Sequence, residues 1–281
     1  MQAFDPSRNI QLDIATDRKA CVVRHLLVAG LAGTLLAIVG GLIGLGGAEF
    51  RLPILIGAFN FAALQAVIIN KAMSLVVVAS ALPFRAATVP FAVIASQWLI
   101  IVNLLAGSLL GAWFGAGWAT RLSSQALYRV IAVLLVVIAA VLQFGHDPSS
   151  SGAMLTGAWQ AAVGVVAGFG IGVVAALLGV AGGELLIPTL VLLFGVDIKL
   201  AGSLSLAVSL PTMIVGFVRY GRDRSFAVLG ENLGFVAAMA AGSIVGSFIG
   251  GQLLGVVPST VLIPMLFVIL LISAVKVWRH Q

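Results

Sequence analysis

Long apolar stretches alternate with short polar or glycine-rich breaks along the whole chain. A helix needs about 20 apolar residues to cross the hydrocarbon of a bilayer. Segments of that kind run at about 25–46, 53–69, 73–94, 97–118 and 127–144, and the pattern then restarts at about 157–181, 185–196, 200–218, 232–255 and 260–277. Segments 53–69 and 185–196 are short for a crossing at about 1.5 Å of rise per residue. Each begins beside a glycine-rich break, so the second and seventh segments are expected to be short or re-entrant. The predicted fold class is an all-α polytopic membrane protein with a tail at 1–24 and five hydrophobic segments in each of 25–145 and 157–278.

The two series are related in sequence. At an offset of 135, Gly44-Leu45-Gly46-Gly47-Ala48-Glu49-Phe50-Arg51-Leu52-Pro53 aligns with Gly179-Val180-Ala181-Gly182-Gly183-Glu184-Leu185-Leu186-Ile187-Pro188. The same offset pairs Gly107-Ser108-x-x-Gly111-x-x-x-Gly115 with Gly242-Ser243-x-x-Gly246-x-x-x-Gly250. Two separate motifs at one offset argue for duplication rather than compositional bias. An odd number of segments per half inverts the second half relative to the first, an arrangement that in carriers places the site near the midplane, at interrupted helices.

Composition narrows the class. Of 281 residues 61% are hydrophobic and 9% charged, which excludes an ordinary water-soluble domain and leaves no room for a separate catalytic one. The net charge of +6 orients loops rather than gripping nucleic acid. With the N-terminus inside, every Lys and Arg except Arg51, Arg85 and Lys199 falls inside or at an inner helix end, so both termini are expected in the cytoplasm. Residues 1–22 lack the apolar core of a signal peptide. A single cysteine, Cys21, provides neither an intrachain disulfide nor a metal cluster, and His25, His146 and His280 form no triad, so no enzyme and no cofactor are expected. Trp98, Trp118, Trp159 and Trp278 lie near span ends, as in interfacial belts.

The GSxxGxxxG runs read as packing faces. The GxGGxExxxP-like runs admit two readings. One is a tight interhelical loop. The other is a pair of half-helix N-termini, with Pro53 and Pro188 in the first turn, presenting free amides to an anion. Glu49 and Glu184 are the acidic residues within the apolar segments, and a carboxylate at that depth lines an aqueous cavity, is paired, or is protonated. Arg51 is read as snorkelling to the interface or attracting anions; Arg85, beside Pro83, as an anion ligand or a partner of Glu49. Asn60, Asn70, Ser74, Asn103, Ser203, Ser205 and Ser209 supply neutral polar groups, serving as interhelical bonds or ligands.

The duplicated runs GLGGAEFRLPILIG and GVAGGELLIPTLVLLFG, each followed by a short span and a Ser-Leu-containing segment, resemble the sulfite exporter TauE/SafE family over roughly residues 25–278. Each run carries an alanine, Ala48 or Ala181, where the family has glycine. The resemblance implies transport of sulfite, organosulfonates or related anions across a bacterial inner membrane. Candidate substrate-binding residues are Gly46, Gly47, Ala48, Glu49, Gly182, Gly183, Glu184, Arg85, Ser74, Ser203 and Ser205, with Glu49 and Glu184 as proton carriers. The expected partners are a small anionic substrate and the lipid bilayer. Two alternatives stand beside this: a cation-coupled carrier using Glu49 and Glu184, and a non-transporting membrane assembly partner.

Overall fold

A computed structural model of the protein describes residues 23–24, 26–38, 47–86, 90–144, 156–252 and 259–279; side chains 82–86, 141–144, 198–199 and several between 251 and 269 are outside the description. The tail at 1–22 and Gly46 therefore fall outside it. In chain order the helices are α1 (Leu26–Ile38), α2 (Ala48–Gly57), α3 (Ala63–Ala86), α4 (Phe91–Ser96), α5 (Trp98–Ala119), α6 (Ser124–Phe144), α7 (Gly157–Leu178), α8 (Gly183–Phe194), α9 (Ile198–Tyr220), α10 (Val228–Glu231), α11 (Leu233–Gln252) and α12 (Ser259–Trp278), with a 3-10 turn at Arg224–Ala227. Among the described residues, five helices are long and apolar enough to cross a bilayer. Large apolar side chains such as Leu31, Val166 and Phe248 stand fully outward, which suits a lipid solvent and not water.

The glycine motifs set which helices touch. A methyl group on Gly107 or Gly111 of α5 would strike the carbonyls of Val165 or Phe169 on α7, and one on Gly168 or Gly172 of α7 would strike the carbonyls of Leu104 or Ser108 on α5. The backbones thus meet without intervening side chains, the close approach that small residues allow in lipid. The second copy of the motif does the same elsewhere: Gly242 and Gly246 of α11 lie on the carbonyls of Gly30 and Thr34 of α1. Each motif therefore packs against the first helix of the other half.

The helices that follow the two glycine breaks are too short to cross. At about 1.5 Å per residue, α2 and α8 span roughly 15 and 18 Å, about half the hydrocarbon thickness. The αL residue Gly182 (φ 79°) begins α8 against Ile171 and Ala175 of α7, and at the far end Gln160 Nε2 donates to the Leu193 carbonyl (2.8 Å). So α8 runs back along α7. In the first half, Gly47 (φ 71°) starts α2 beside Leu36 and Ala37 of α1, and α2 ends where Gly57 meets the Lys276 side chain of α12.

One predicted boundary is corrected. Segment 53–69 is not a single element: α2 ends at Gly57, the chain turns through Asn60 in the left-handed region (φ 56°), and α3 begins at Ala63. The polar dip at Asn70-Lys71, which separates the apolar segments in sequence, lies inside α3. Asparagine tolerates the left-handed conformation better than most residues, which is why the turn sits at Asn60.

Candidate functional site

The two glycine breaks come together at the centre of the molecule. Gly47 and Gly182 act as left-handed N-caps of α2 and α8, placing Glu49 and Glu184 at the same position in the first turn of each helix. A carboxyl group is favoured there by the aligned peptide dipoles. The two Glu side chains interact directly, and Glu184 also touches its own backbone amide. Both residues are 2% exposed, and Oε1 of Glu49 and both carboxyl oxygens of Glu184 have no well-formed hydrogen bond.

Pro53 and Pro188 do not occupy the first helical turn as expected; each lies inside its helix, four residues beyond the glutamate. A proline has no N–H, so the carbonyl four residues earlier loses its helical partner. The carbonyls so released belong to Glu49 and Glu184. Each short helix therefore offers, at one place, first-turn amides, a buried carboxyl and a backbone carbonyl that its proline deprives of the usual helical donor.

Arg51 is the largest correction among the site residues. It does not snorkel to the interface: it is 1% exposed, and its guanidinium donates to Ser74 Oγ of α3 (2.8 Å) and Ser243 Oγ of α11 (3.1 Å), with Glu49 near enough to feel its charge. Its Nε remains buried without a partner. Ser243, part of a motif read as packing, is thus also a polar anchor and reaches the Gly33 carbonyl of α1 (3.5 Å).

Lys71, placed by charge bias at an inner helix end, is instead completely buried in α3. Its Nζ donates to the carbonyls of Ala175 (3.0 Å) and Val180 (3.5 Å). Asn70 Nδ2 donates to Leu178 O (3.1 Å) and Ala48 O (3.0 Å), and the Tyr220 hydroxyl to Ala176 O (2.9 Å). Helix α7 ends inside the protein, where its last carbonyls have no intrahelical donors. The amides of Gly179 and Val180 fold back onto the Ala176 and Ala175 carbonyls (both 3.1 Å), and the three side chains add to them, with Lys71 at the negative end of the α7 dipole. Asn70 does more, because its amide bonds one carbonyl from each glycine break.

The remaining candidates are distributed unevenly. Ser74 reaches the site through Arg51. Ser203 and Ser205 are buried on α9, and Ser205 Oγ donates to Gly202 O within its own turn (2.9 Å). Ser108 of α5 and Thr212 of α9 share a hydrogen bond (2.8 Å). Arg85 lies in the last turn of α3 with its side chain outside the described part, and Gly46 is outside it entirely. Sequence reasoning missed Lys71 because a break was placed at Asn70-Lys71; the apolar run Ala66–Ile69 before it and Leu75–Val78 after it was the available signal that one helix continues through.

Asn70, Ser74 and Ser243, which bond the breaks or Arg51, are buried like the glutamates themselves. No group of three or more His, Cys, Asp or Glu residues able to hold a metal occurs among the described residues. The arrangement can present amide and guanidinium donors to an anion while the paired carboxyls take up or release a cation. A sequence model of the family described as Sulfite exporter TauE/SafE matches residues 24–277. Neither a search of curated proteins nor one of solved structures returned a match.

Proposed function

The chain belongs to the sulfite exporter TauE/SafE family of membrane transporters, and on that footing we propose that it carries sulfite, an organosulfonate or a related sulfur-containing anion between the two glycine breaks, with coupling to protons. The observation that supports this reading is the meeting of two half-helix N-termini at a buried Glu49–Glu184 pair with Arg51 beside it. Amides of the first turns of α2 and α8 and the Arg51 guanidinium provide donors for an oxyanion. Two charged carboxylates would repel that anion. A proton on the pair leaves one negative charge, which the Arg51 guanidinium offsets, so proton and anion load together, and the two halves, taken as inverted repeats at 25–145 and 157–278, expose the site to each side in turn. Gly46, Gly47, Ala48, Gly182 and Gly183 shape the approach to the backbone; Ser74 holds Arg51; Arg85, Ser203 and Ser205 are assigned to the path. The setting proposed is a bacterial inner membrane with both termini cytoplasmic.

Flux of sulfite, an organosulfonate and sulfate into proteoliposomes, with and without a proton gradient, tests the reading. Glu49→Gln and Glu184→Gln should each abolish the pH dependence of flux. Unchanged pH dependence in both variants refutes the coupling and leaves the anion site standing. A folded Arg51→Met variant that transports at the parent rate removes Arg51 from that site.

The carbonyls of Glu49 and Glu184, released by Pro53 and Pro188, favour one second reading: with the carboxyl pair they form an oxygen-rich locus suited to Na⁺ as the coupling ion. Flux that requires sodium at constant pH selects it.

A further inference from the structure

A second basic cluster lies away from the glutamate pair, at the C-terminal end of α5. Arg219 and Arg222, at the end of α9 and in the following turn, place their guanidinium carbons 5.3 and 5.1 Å from the ring centre of Trp113. Gly117 gives Arg219 its seat: the atoms nearest to a methyl group added there are Nη2 and Nε of Arg219, at 3.1 and 3.2 Å. Arg219 Nε is buried without a hydrogen-bond partner. Asp223, the acid of this turn, accepts from the Ser225 amide (2.8 Å).

Beside these groups runs a groove of about 580 Å³ along α5 and α7, with Arg121 and Arg219 at its polar end and Phe114, Trp118, Phe169 and Val173 along its wall. Phe114 and Trp118 are exposed on the face that meets lipid. A cationic head and an apolar channel, side by side at a span end, match the two ends of one kind of molecule. We propose that this groove holds an anionic phospholipid, its phosphate between Arg121 and Arg219 and an acyl chain along Phe114, Phe169 and Val173. Tryptophan at the headgroup level and arginine against lipid phosphate are each favourable. Nothing in this inference depends on the transported substrate.

Native mass spectrometry of the full chain in detergent, titrated with phosphatidylglycerol and separately with phosphatidylethanolamine, tests it. The parent protein should retain one phosphatidylglycerol, and Arg121→Gln with Arg219→Gln should bind it about thirtyfold more weakly, from roughly fivefold per arginine. Gly117→Val keeps the net charge but unseats Arg219, and should weaken binding in the same direction. Equal retention of the two lipids by the parent overturns the proposal. So does unchanged phosphatidylglycerol binding in the Arg121→Gln single variant and the Gly117→Val variant, each confirmed folded by size-exclusion elution. Competition by inorganic phosphate at equal concentration would assign the cluster to a free anion and also overturn it.

Discussion

Asn70 donates from one amide to both glycine breaks, so its loss leaves the Leu178 carbonyl, at the last position of α7, without this donor and cuts the link to Ala48. Asn70→Ala should lower stability by about 1–3 kcal/mol, read as a fall of several degrees in the melting temperature in detergent. Gly182 is constrained differently. Its φ of 79° costs an L-residue about 1–2 kcal/mol, and a methyl group there would press on Ile171. Gly182→Ala should therefore reduce both melting temperature and flux, whereas an unchanged melting temperature would mean that the break relaxes. At this scale the glutamates and glycines were legible because acids are rare in apolar runs and the motif occurs twice. Arg51 and Lys71 were not, since a sequence shows that a cation is near an apolar stretch but not whether hydroxyls or carbonyls await it.

Helix seams set the next level. On α5, Gly111 meets the Phe169 carbonyl directly, while Gly170, one residue further along α7, has nothing within 4 Å. Gly111→Val should separate α5 from α7 and abolish the monodisperse peak on size exclusion; Gly170→Val, facing outward, should leave that peak unchanged. Equal tolerance at both positions would show that the seam is loose. Element existence was legible from apolar length and from the glycine spacing. Helix α8 matches its predicted segment to within two residues at each end, because Gly182 and Gly195 punctuate both ends. The corner between α2 and α3 was missed, since Asn60 interrupts an apolar run only slightly while Asn70-Lys71 interrupts it strongly.

For the whole molecule, carriage from one side to the other requires a moving part. If the halves alternate, a buried residue on α9 such as Ser209, 1% exposed here, must meet water during turnover. A Ser209→Cys variant on a Cys21→Ser background should react with a membrane-impermeant thiol reagent slowly at rest and several times faster with substrate and a proton gradient. Equal rates in both conditions would exclude opening at that depth. The meeting of the two breaks was expected from the duplicated motif, but the polar groups that join them, Asn70 and Arg51 with its serines, were not, because those contacts depend on packing between distant parts of the chain.

The crossing of the glycine seams bears on how the protein is made. Helix α1 enters the bilayer early in synthesis, yet the face that covers Gly30 and Thr34 belongs to α11. At ribosomal rates of about 5–20 residues per second, that partner arrives roughly 10–40 s later. For that interval its bare backbone stripe must be shielded by lipid or by the insertion machinery, so the first helix waits for nearly the whole of synthesis before it reaches its final partner.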